Sequence, residues 1–434
     1  MKCTSFLLRA LFSMTAFALI LPQPGHAIPA FARKFGVKCY TCHTIPPALN
    51  KNGYMFKRLG SRMPPDEMDG TKAAPKVSEL DKDIKFSLTN SFAVLFNASV
   101  TEDKNIADTG DTPPSTTQTD SSFNLDEAAM FMAGAVPETG FSYFGHYELY
   151  QDGENNLEQG FGVWTGGRAN SSYFVKGGEI HMQEGEGTRA AMMYNLFPDP
   201  SPMFTNVDPI NFSLDQHPVG VDFGYTWASP YFSKVFAISA KVTNGLNADG
   251  SEILGGSTKN AKDFWADADY WFGPDGGVTV MMYRGSKDQD QTDPLGNDFT
   301  YRPVINRVGV FGNYLFFDKL DLLGGYMHSN DDWRWAQSGP GSTSSYIADS
   351  YRGEADYYIK TGTAIMARFD RGTAQIAPNP MVHTRAFGIG AEHALTPTGN
   401  IIVRGTYNQE HDADPVAGLG TTDKLVKLDF RFMW

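Results

Sequence analysis

The sequence predicts an all-β protein, a transmembrane antiparallel β-barrel of about 16 strands with a small N-terminal α-helical segment docked in or at its lumen. Apolar and polar residues alternate along several stretches, short turns alternate with long polar loops, and Gly and aromatic residues are numerous. Beyond the N-terminal stretch, no apolar run reaches the roughly 20 residues that a membrane helix needs. Strands that face lipid on one side and a polar lumen on the other show this pattern.

The clearest alternation lies in KLVKLDFRFMW, the last residues of the chain. The apolar face holds Val426, Leu428, Phe430, Phe432 and Trp434, and the other face holds Lys427, Asp429, Arg431 and Met433. We predict that the apolar face contacts lipid and that the charged face lines the lumen. Two further stretches place Val308, Val310, Tyr314 and Phe316 opposite Arg307, Gly309 and Asn313, and place Phe387, Ile389 and Ala391 opposite Gly388, Gly390 and Glu392.

Short turns and long loops set the predicted strand count. Clear turns lie at 137–140, 229–231, 273–277, 317–321 and 396–400, and weaker ones at 184–187 and 360–363. These turns would join seven pairs of strands, and the first and last strands bring the total to about 16. The long loops are 100–121, 196–218, 286–302, 329–351 and 411–423. Because outer-membrane barrels have short periplasmic turns, we expect these loops outside the cell.

Trp227, Trp271 and Trp434 lie next to predicted short turns or at the end of the last strand. This position predicts an aromatic girdle at the membrane interface. A periplasmic β-sandwich or propeller is the alternative fold, but it gives no reason for the asymmetry between turns and loops.

Residues 1–27 are predicted to be a secretory signal peptide. Lys2 and Arg9 supply positive charge, 10–21 is a short apolar core, and 25–27 offers a cleavage site with small residues. Cleavage would remove Cys3 and leave Cys39 and Cys42 as the cysteines of the exported chain.

Residues 28–77 are predicted to be a monohaem cytochrome c segment, because Cys39-x-x-Cys42-His43 is the attachment pattern of a c-type haem. Both thiols would lie on one helical turn and form thioethers to the vinyl groups, and His43 would be the proximal iron ligand. Three other interpretations are weaker. A thioredoxin-like pair needs a βαβ context, a disulfide across two residues is strained, and a zinc site needs four ligands.

The distal haem ligand is left open by the sequence. Met63 or Met55 follows closely, and Met68 is a further possibility, although each also suits an ordinary apolar position. A ligand from the rest of the chain is another option: His146, His181, His217, His328, His383, His393 or His411. Phe31, Phe35 and Val37 are expected beside the porphyrin, and Pro46-Pro47 is expected to end the helix that carries the motif.

Residues 78–434 are predicted to be the barrel. A segment as small as 28–77 does not bury enough apolar surface to be stable by itself, so we expect it to dock in or at the mouth of the lumen. The formal net charge of -13 argues against nucleic acid as a partner. Acidic loops at 286–298 and 329–333 are expected to concentrate cations, although each also suits a solvated surface.

The stretch AFARKFGVKCYTCHTIPPALNKNGYMFKRLG, residues 30–60, resembles the start of the fused monohaem c-type cytochrome–porins of the bacterial outer membrane, which include iron-oxidising cytochromes. The resemblance implies one covalent haem c held by Cys39, Cys42 and His43. It also implies an electron conduit from extracellular Fe(II) to a periplasmic c-type cytochrome or other electron carrier, with outer-membrane lipid around the barrel.

Other functions remain open at this point. The conduit could run outward to extracellular acceptors, the barrel could be a diffusion porin with a haem-bearing plug, or the haem could serve an enzyme such as a peroxidase. We expect an electron-transfer protein or Fe(II) oxidoreductase rather than an enzyme that converts a substrate.

Overall fold

A computed structural model describes residues 30–46, 48–65, 73–82, 91–108, 116–151, 154–180, 187–191, 214, 217–244, 262–273, 275–286, 289–292, 298–301, 304–333, 344–376, 382–396, 399–414 and 419–433. The predicted signal peptide, Met68 and Trp434 lie outside these residues. Neither α-helix in the described part of the chain has the length and apolar content needed to cross a bilayer.

The chain begins with short elements and continues as strands. The N-terminal elements are α1 (Ala30–Phe35), β1 (His43–Ile45), β2 (Ala48–Leu49) and α2 (Lys51–Arg58). They are followed by β3 (Phe92–Asp108), β4 (Thr116–Ala135), β5 (Phe141–Gln151), β6 (Glu154–Arg168), β7 (Ser171–Glu179), β8 (Val219–Ala228), β9 (Lys234–Asn244), β10 (Lys262–Phe272), β11 (Gly276–Ser286), β12 (Gln289–Thr292), β13 (Asp298–Tyr301), β14 (Val304–Phe316), β15 (Leu320–Trp333), β16 (Ser344–Lys360), β17 (Thr363–Ile376), β18 (Val382–Ala394), β19 (Ile401–Asp414) and β20 (Leu419–Met433).

Sixteen of these strands form one closed antiparallel barrel, which confirms the predicted fold. Each barrel strand pairs with its neighbours in chain order, and β20 closes the ring by pairing with β3 from Met433 and Leu95 to Gly420 and Asp108. β12 and β13 form a separate hairpin in the connection between β11 and β14. Closure leaves no unpaired strand edge in the ring, as a barrel in lipid requires.

The predicted alternation between lipid and lumen is confirmed on three strands. Val308 and Val310 of β14 are about half exposed on the outside, whereas Arg307 is 4% exposed. On β18, Phe387 and Ile389 face outward and Glu392 is buried inside. On β20, Val426 faces outward, while Lys427, Asp429 and Arg431 line a cavity in the lumen. The apolar outer surface therefore matches a barrel that sits in lipid.

Most predicted turns are confirmed, and one is misplaced. Short connections follow β4, β8, β10, β14, β16 and β18 as expected, but the predicted turn at 184–187 lies inside the long connection between β7 and β8. The true seventh turn is at Ala169 and Asn170, between β6 and β7. The strand total was right because one missed turn replaced one false turn. Several strands also run farther into the predicted loops, since β3 reaches Asp108 and β19 reaches Asp414.

The tryptophan prediction is correct for one residue and wrong for another. Trp227 is 45% exposed on the outer surface beside a short turn, as a girdle residue should be. Trp271 is fully buried in the lumen, where its ring lies 5.3 Å from that of Tyr54. Trp271 points into the lumen, and the N-terminal segment covers it. Without that segment, an inward side chain would be exposed to water in the lumen.

The described N-terminal residues, 30–46, 48–65 and 73–82, lie in the lumen at its short-turn end; we call them the inner segment. A hydrophobic cluster joins this segment to the barrel: Tyr54, Met55, Leu59, Ala74 and Val77 pack with Ala169, Ala228, Phe232, Val235, Ala237 and Trp271. The segment thus has a core only together with the barrel, as its small size predicts.

Candidate functional site

The two predicted attachment cysteines lie on a single turn of 3-10 helix. Cys39 begins this turn, and the backbone N–H of Cys42 donates to the Cys39 carbonyl oxygen at 3.1 Å. His43 is then the first residue of β1, which pairs with β2. The expectation that a helix continues to His43 is therefore wrong. Ile45 precedes Pro46, and a residue before proline disfavours helical backbone, so the chain becomes extended at once.

Asn50 joins the motif to α2. Its side chain accepts from the Gly53 N–H at 3.0 Å as the N-cap of α2, and its amide donates toward the Tyr40 and Thr41 carbonyl oxygens at 3.4 and 3.3 Å. The Asn50 N–H also donates to the Cys42 carbonyl oxygen at 3.0 Å. One residue thereby caps the helix and fixes the motif turn beside it.

Gly53 allows α2 to approach the motif closely. A Cβ atom at this position would lie 2.1 Å from the Cys42 carbonyl oxygen and 2.8 Å from the Leu49 Cδ2 atom. A backbone oxygen cannot move away as a flexible side chain can. The absence of a side chain at position 53 is therefore a requirement of this packing.

Short turns of the barrel hold the motif at one end of the lumen. The Lys51 N–H donates to Asp275 at 3.1 Å, and the Lys51 ammonium donates to the Gly273 carbonyl oxygen at 2.8 Å. Tyr40 lies against Gly362 and Gly399, both of which have positive φ. These three turns are on the short-turn side, so the motif lies at the periplasmic end if the barrel follows the usual orientation.

Arg62 attaches the inner segment to another short turn. Its guanidinium is buried, donates to the Val136 and Phe141 carbonyl oxygens at 3.1 Å each, and lies 3.3 Å from Asp81. Lys34 donates to the Ala135 carbonyl oxygen at 3.3 Å in the same region. Buried donors that meet carbonyl oxygens and a carboxylate in this way fix the segment relative to the barrel.

Arg58 attaches α2 to the lumen wall. Its guanidinium lies 3.0 Å from Asp269 and 3.4 Å from Asp267, and all three side chains are buried. Tyr54 donates to Asp269 at 2.7 Å one turn earlier in the helix. Breaking a buried pair of this kind is costly because a charge is left without compensation.

A cavity of about 890 Å³ opens beside the motif. Cys39, Cys42 and His43 line it, and so do residues on the lumen faces of β3–β7, β19 and β20. Its volume falls within the roughly 300–1,000 Å³ that is usual for ligand pockets. The cavity is therefore large enough for a bound organic cofactor next to both thiols.

Aromatic residues form one side of this cavity. Phe31, Phe35 and Val37 line it, as the sequence predicted for the neighbours of a porphyrin. The Phe56 ring meets the Phe31 ring edge to face at 4.8 Å and the Phe35 ring at 5.8 Å. The rings support one another and present apolar surface to whatever fills the cavity.

Burial changes the acid–base properties of the motif. Burial raises the pKa of the Cys39 and Cys42 thiols to about 11 each, and it raises the pKa of Tyr40 to about 12. The two thiols are not joined as a disulfide. As free thiols they would be protonated at neutral pH and would react slowly, which argues against a thiol-based catalytic pair.

The residues present fit a covalently attached haem. Two thiols and an imidazole occur within five consecutive residues and share one aromatic-lined cavity. Haem attachment at Cys39 and Cys42 and iron ligation by His43 stay predictions.

The structure separates the candidates for the distal ligand. Met63 lines the cavity, whereas Met55 is fully buried in the hydrophobic cluster with Trp271 and is not among the lining residues. His146 also lines the cavity. Of the other candidate histidines, His217 lies 3.5 Å from Glu158, His328 lies 2.9 Å from Asp349, and His393 and His411 form hydrogen bonds with threonine hydroxyls. His383 lies on β18 and does not line the cavity, and His181 lies outside the described residues. Placement favours Met63 of the two methionines named first.

Besides His146, which the sequence offers as a possible distal ligand, four carboxylates that line the cavity were not identified from the sequence: Asp126, Glu127, Glu148 and Glu158. Inward alternation on β4–β6 was the available indication, but β-bulges interrupt the alternation there.

Fold and outer surface together define the class of protein. A closed ring of sixteen strands with an apolar exterior and a polar interior is a membrane-spanning barrel of the porin type, and such barrels belong in the bacterial outer membrane. The chain is thus a porin-like outer-membrane barrel whose lumen is partly filled by its own N-terminal segment.

Comparison with solved structures agrees with this class. OmpT of Vibrio cholerae, as expressed in the outer membrane, is similar over 81% of this chain and 99% of its own, with 11% identity and a TM-score of 0.52. An anion-selective porin from Comamonas acidovorans is similar over 79% of this chain and 100% of its own, with 11% identity and a TM-score of 0.50. No family model and no curated protein match the sequence. At such identities the similarity establishes the fold alone.

Proposed function

We propose that this barrel is an electron conduit of the outer membrane, in which one haem c carries electrons from extracellular Fe(II) to a periplasmic electron carrier. The observation that carries the proposal is the position of Cys39, Cys42 and His43 on an aromatic-lined cavity of about 890 Å³ inside the lumen. A haem bound there would supply a one-electron carrier whose potential depends on its axial ligands and burial.

The residues of the chain have separate roles in this proposal. Cys39 and Cys42 would hold the cofactor covalently, His43 would bind the iron, and Met63, which lines the cavity, would approach the iron from the inner segment. Phe31 and Phe35 would exclude water from one side of the porphyrin, which favours a stable and tuned potential. The segment 28–77 is the proposed haem domain, and the contact of Arg62 with Asp81 extends the docked part to residue 81.

The position of the motif suits a periplasmic partner. Lys38 is exposed beside Cys39, and the motif lies against short turns that are periplasmic in barrels of this type. A soluble c-type cytochrome or other carrier could therefore approach the haem without crossing the roughly 30 Å hydrocarbon core.

Covalent haem and electron transfer can be tested together. We expect the purified full chain to give a pyridine haemochrome spectrum and to be reduced by Fe(II) under anaerobic conditions. His43→Ala should retain the folded barrel, judged by heat-modifiable gel mobility, but lose electron exchange. A colourless wild-type protein, or unchanged Fe(II)-dependent reduction in the His43 variant, would contradict the conduit.

A diffusion porin with a haem-bearing plug is the second candidate, and the porin-type fold favours it. It predicts that the chain in liposomes admits small sugars at rates comparable to an open porin. The conduit instead predicts that liposomes containing the chain swell slowly in sugar solutions, because the inner segment and residues 187–191 pack inside the described part of the barrel. Outward electron transfer is separated from the inward direction by the midpoint potential, since a strongly negative value would not suit Fe(II) as the donor.

A further inference from the structure

A histidine and two carboxylates meet on the lumen faces of two neighbouring strands. Glu127 lies on β4, and His146 and Glu148 lie on β5; one potential ligand atom from each is within 4.8 Å of the others. His146 is 8% exposed and Glu148 is 6% exposed. All three line the same cavity as Cys42 and His43, so we call them the lumen triad.

The local backbone is adapted to place acidic groups around this triad. The pairing of β3 with β4 skips Asp126, which is a β-bulge, so Asp126 and Glu127 both line the cavity. The pairing of β5 with β6 skips Glu158 in the same way, and Glu158 and Gln159 both line the cavity. Bulges commonly redirect side chains next to functional sites. Here two bulges bring the carboxylates of Asp126 and Glu158 to the cavity beside the lumen triad.

The contacts of His146 resemble those of a metal-binding histidine. Its Nδ1 atom contacts the Glu158 carboxylate, and the same carboxylate lies 3.5 Å from the His217 Nε2 atom. The Nε2 atom of His146 is buried without a hydrogen bond, and Glu127 Oε1 lies 3.4 Å from it. A carboxylate on one ring nitrogen orients a histidine so that the other nitrogen can bind a metal.

Carboxylates interact with one another at this place, since Glu148 is repelled by both Glu158 and Glu127. Basic groups line the cavity as well: Lys176 pairs with Asp222 at 3.1 Å, Lys427 pairs with Asp126 and Asp429 at 3.3 and 3.4 Å, and Arg431 interacts with Glu127. Several carboxylates held together away from bulk water repel one another, and a divalent ion offsets that repulsion.

We propose that Glu127, His146 and Glu148 bind a divalent first-row transition-metal ion inside the lumen. One imidazole nitrogen and two carboxylates form a mixed set that suits Fe(II) and Mn(II). The role of the site rests on the proposed function, because the ion there would be the extracellular donor held at the cavity of the haem. In that role a bound Fe(II) would give one electron to an oxidised haem held by Cys39, Cys42 and His43; the bound ion would become Fe(III), and the haem iron would go from Fe(III) to Fe(II).

Binding is tested first, with a readout that does not depend on haem activity. Mn(II) is titrated into the purified full chain, and free Mn(II) is measured by electron paramagnetic resonance. We expect one tight site per chain, and we expect Glu127→Gln, His146→Asn and Glu148→Gln each to weaken it by about tenfold or more, in the range found when metal sites are disturbed. Glu148→Asp, which keeps a carboxylate, should weaken it less.

Glu102→Gln is the matched control, because Glu102 is exposed on β3 and the substitution removes the same charge. Heat-modifiable mobility shows that each variant is a folded barrel. Mn(II) affinity unchanged in all three triad variants would overturn the proposal, since His146 would then be only an imidazolium paired with glutamates.

Anaerobic reduction by Fe(II) separates this proposal from the conduit itself. If the triad variants lose Mn(II) binding and are reduced by Fe(II) at least tenfold more slowly at low Fe(II), both ideas stand. If Mn(II) binding depends on the triad but wild-type protein is never reduced, the metal site stands and the conduit fails. If reduction is equally fast in the triad variants and the wild type, the triad is not the donor site, whereas the conduit stands.

Discussion

Two walls of the same lumen differ in how they meet the segments inside. The packed wall, formed by the lumen faces of β10, β11 and β14–β16, contacts α2 and residues 187–191 directly. The open wall, formed by the lumen faces of β3–β7, β19 and β20, borders the cavity of about 890 Å³. Within the described residues, the chain thus fills one side of its barrel and borders a cavity on the other.

Both walls hold buried ion pairs, such as Arg58 with Asp269 and Lys176 with Asp222, but the open wall also presents carboxylates to the cavity. On the packed wall, Arg189 lies 2.6 Å from Asp321 and 2.8 Å from Asp356, and Arg58 pairs with Asp269. On the open wall, the lumen triad and its neighbouring carboxylates face the cavity. The difference indicates that one wall stabilises the inner segments and that the other is available for ligands.

The open wall is tested most severely by removing both thiols. We expect Cys39→Ala/Cys42→Ala to lose all covalent haem, because no thioether can form. The measurement is haem staining of a denaturing gel. Tyr40→Phe is the control, since the Tyr40 hydroxyl makes no hydrogen bond in the described structure and the variant keeps both thiols. A stained band from the double variant would show that the cavity holds haem by other means.

The packed wall is tested by Arg189→Met. Loss of the guanidinium leaves the buried Asp321 and Asp356 without their partner, and the expected loss of stability is about 3–5 kcal/mol. The urea midpoint in lipid vesicles, followed by heat-modifiable mobility, measures it. Arg371→Met changes an exposed arginine of β17 in the same way and should have little effect. Equal midpoints for the two variants would contradict the role of the packed wall.

Contact between α2 and the motif is tested by Gly53→Ala. The added Cβ would lie 2.1 Å from the Cys42 carbonyl oxygen, so α2 must move, at a cost of about 1–3 kcal/mol. We expect a lower urea midpoint and less complete haem attachment. Gly353→Ala is the control, because no atom lies within 4 Å of its added Cβ. If both variants match the wild type, α2 does not fix the motif.

The last expected effect concerns pH at the turn that joins β10 and β11. Burial raises the pKa of Asp275 from 3.8 to about 6, with nearby Arg189 opposing the shift. Because the folded state holds this proton more tightly than the unfolded state, stability from this group is greatest below pH 4 and falls as the pH rises to 6.

Asp275→Asn removes this dependence. Relative to the wild type, the variant should gain stability as the pH rises from about 4 to about 7. Urea midpoints measured across that range test this, with Asp318→Asn in another short turn as the exposed control. A wild-type midpoint that moves in parallel with that of the Asp275 variant would refute the assignment.

The sequence predicted the barrel well because lipid imposes a strict alternation. Val310, Phe387 and Val426 face outward as expected, and the strand total is correct. The turn at Ala169 and Asn170 was missed although Asn is a turn-forming residue, because the nearest glycines, Gly166 and Gly167, lie within β6 and do not mark its position. Trp271 was placed wrongly because its distance from a turn was considered and the alternation of β10 was not: Trp271 shares the inward face with Asp267 and Asp269.

The candidate site was predictable only in part. The spacing of Cys39, Cys42 and His43 is local and can be seen in the sequence. The lumen triad combines residues from two strands, and the bulges at Asp126 and Glu158 change which residues face inward. A strict period of two therefore assigns the wrong face on one side of each bulge.

Burial of the motif has a consequence for biogenesis. Cys39 is 9% exposed, and Tyr40 is held between two short turns of the completed ring. If haem is attached as proposed, the attaching enzyme would need access to both sulfur atoms, and attachment would have to come before the strands assemble around the motif. Maturation would then follow a fixed order. The chain would be exported, haem would be attached to the unfolded inner segment, and the barrel would insert into the membrane only afterwards.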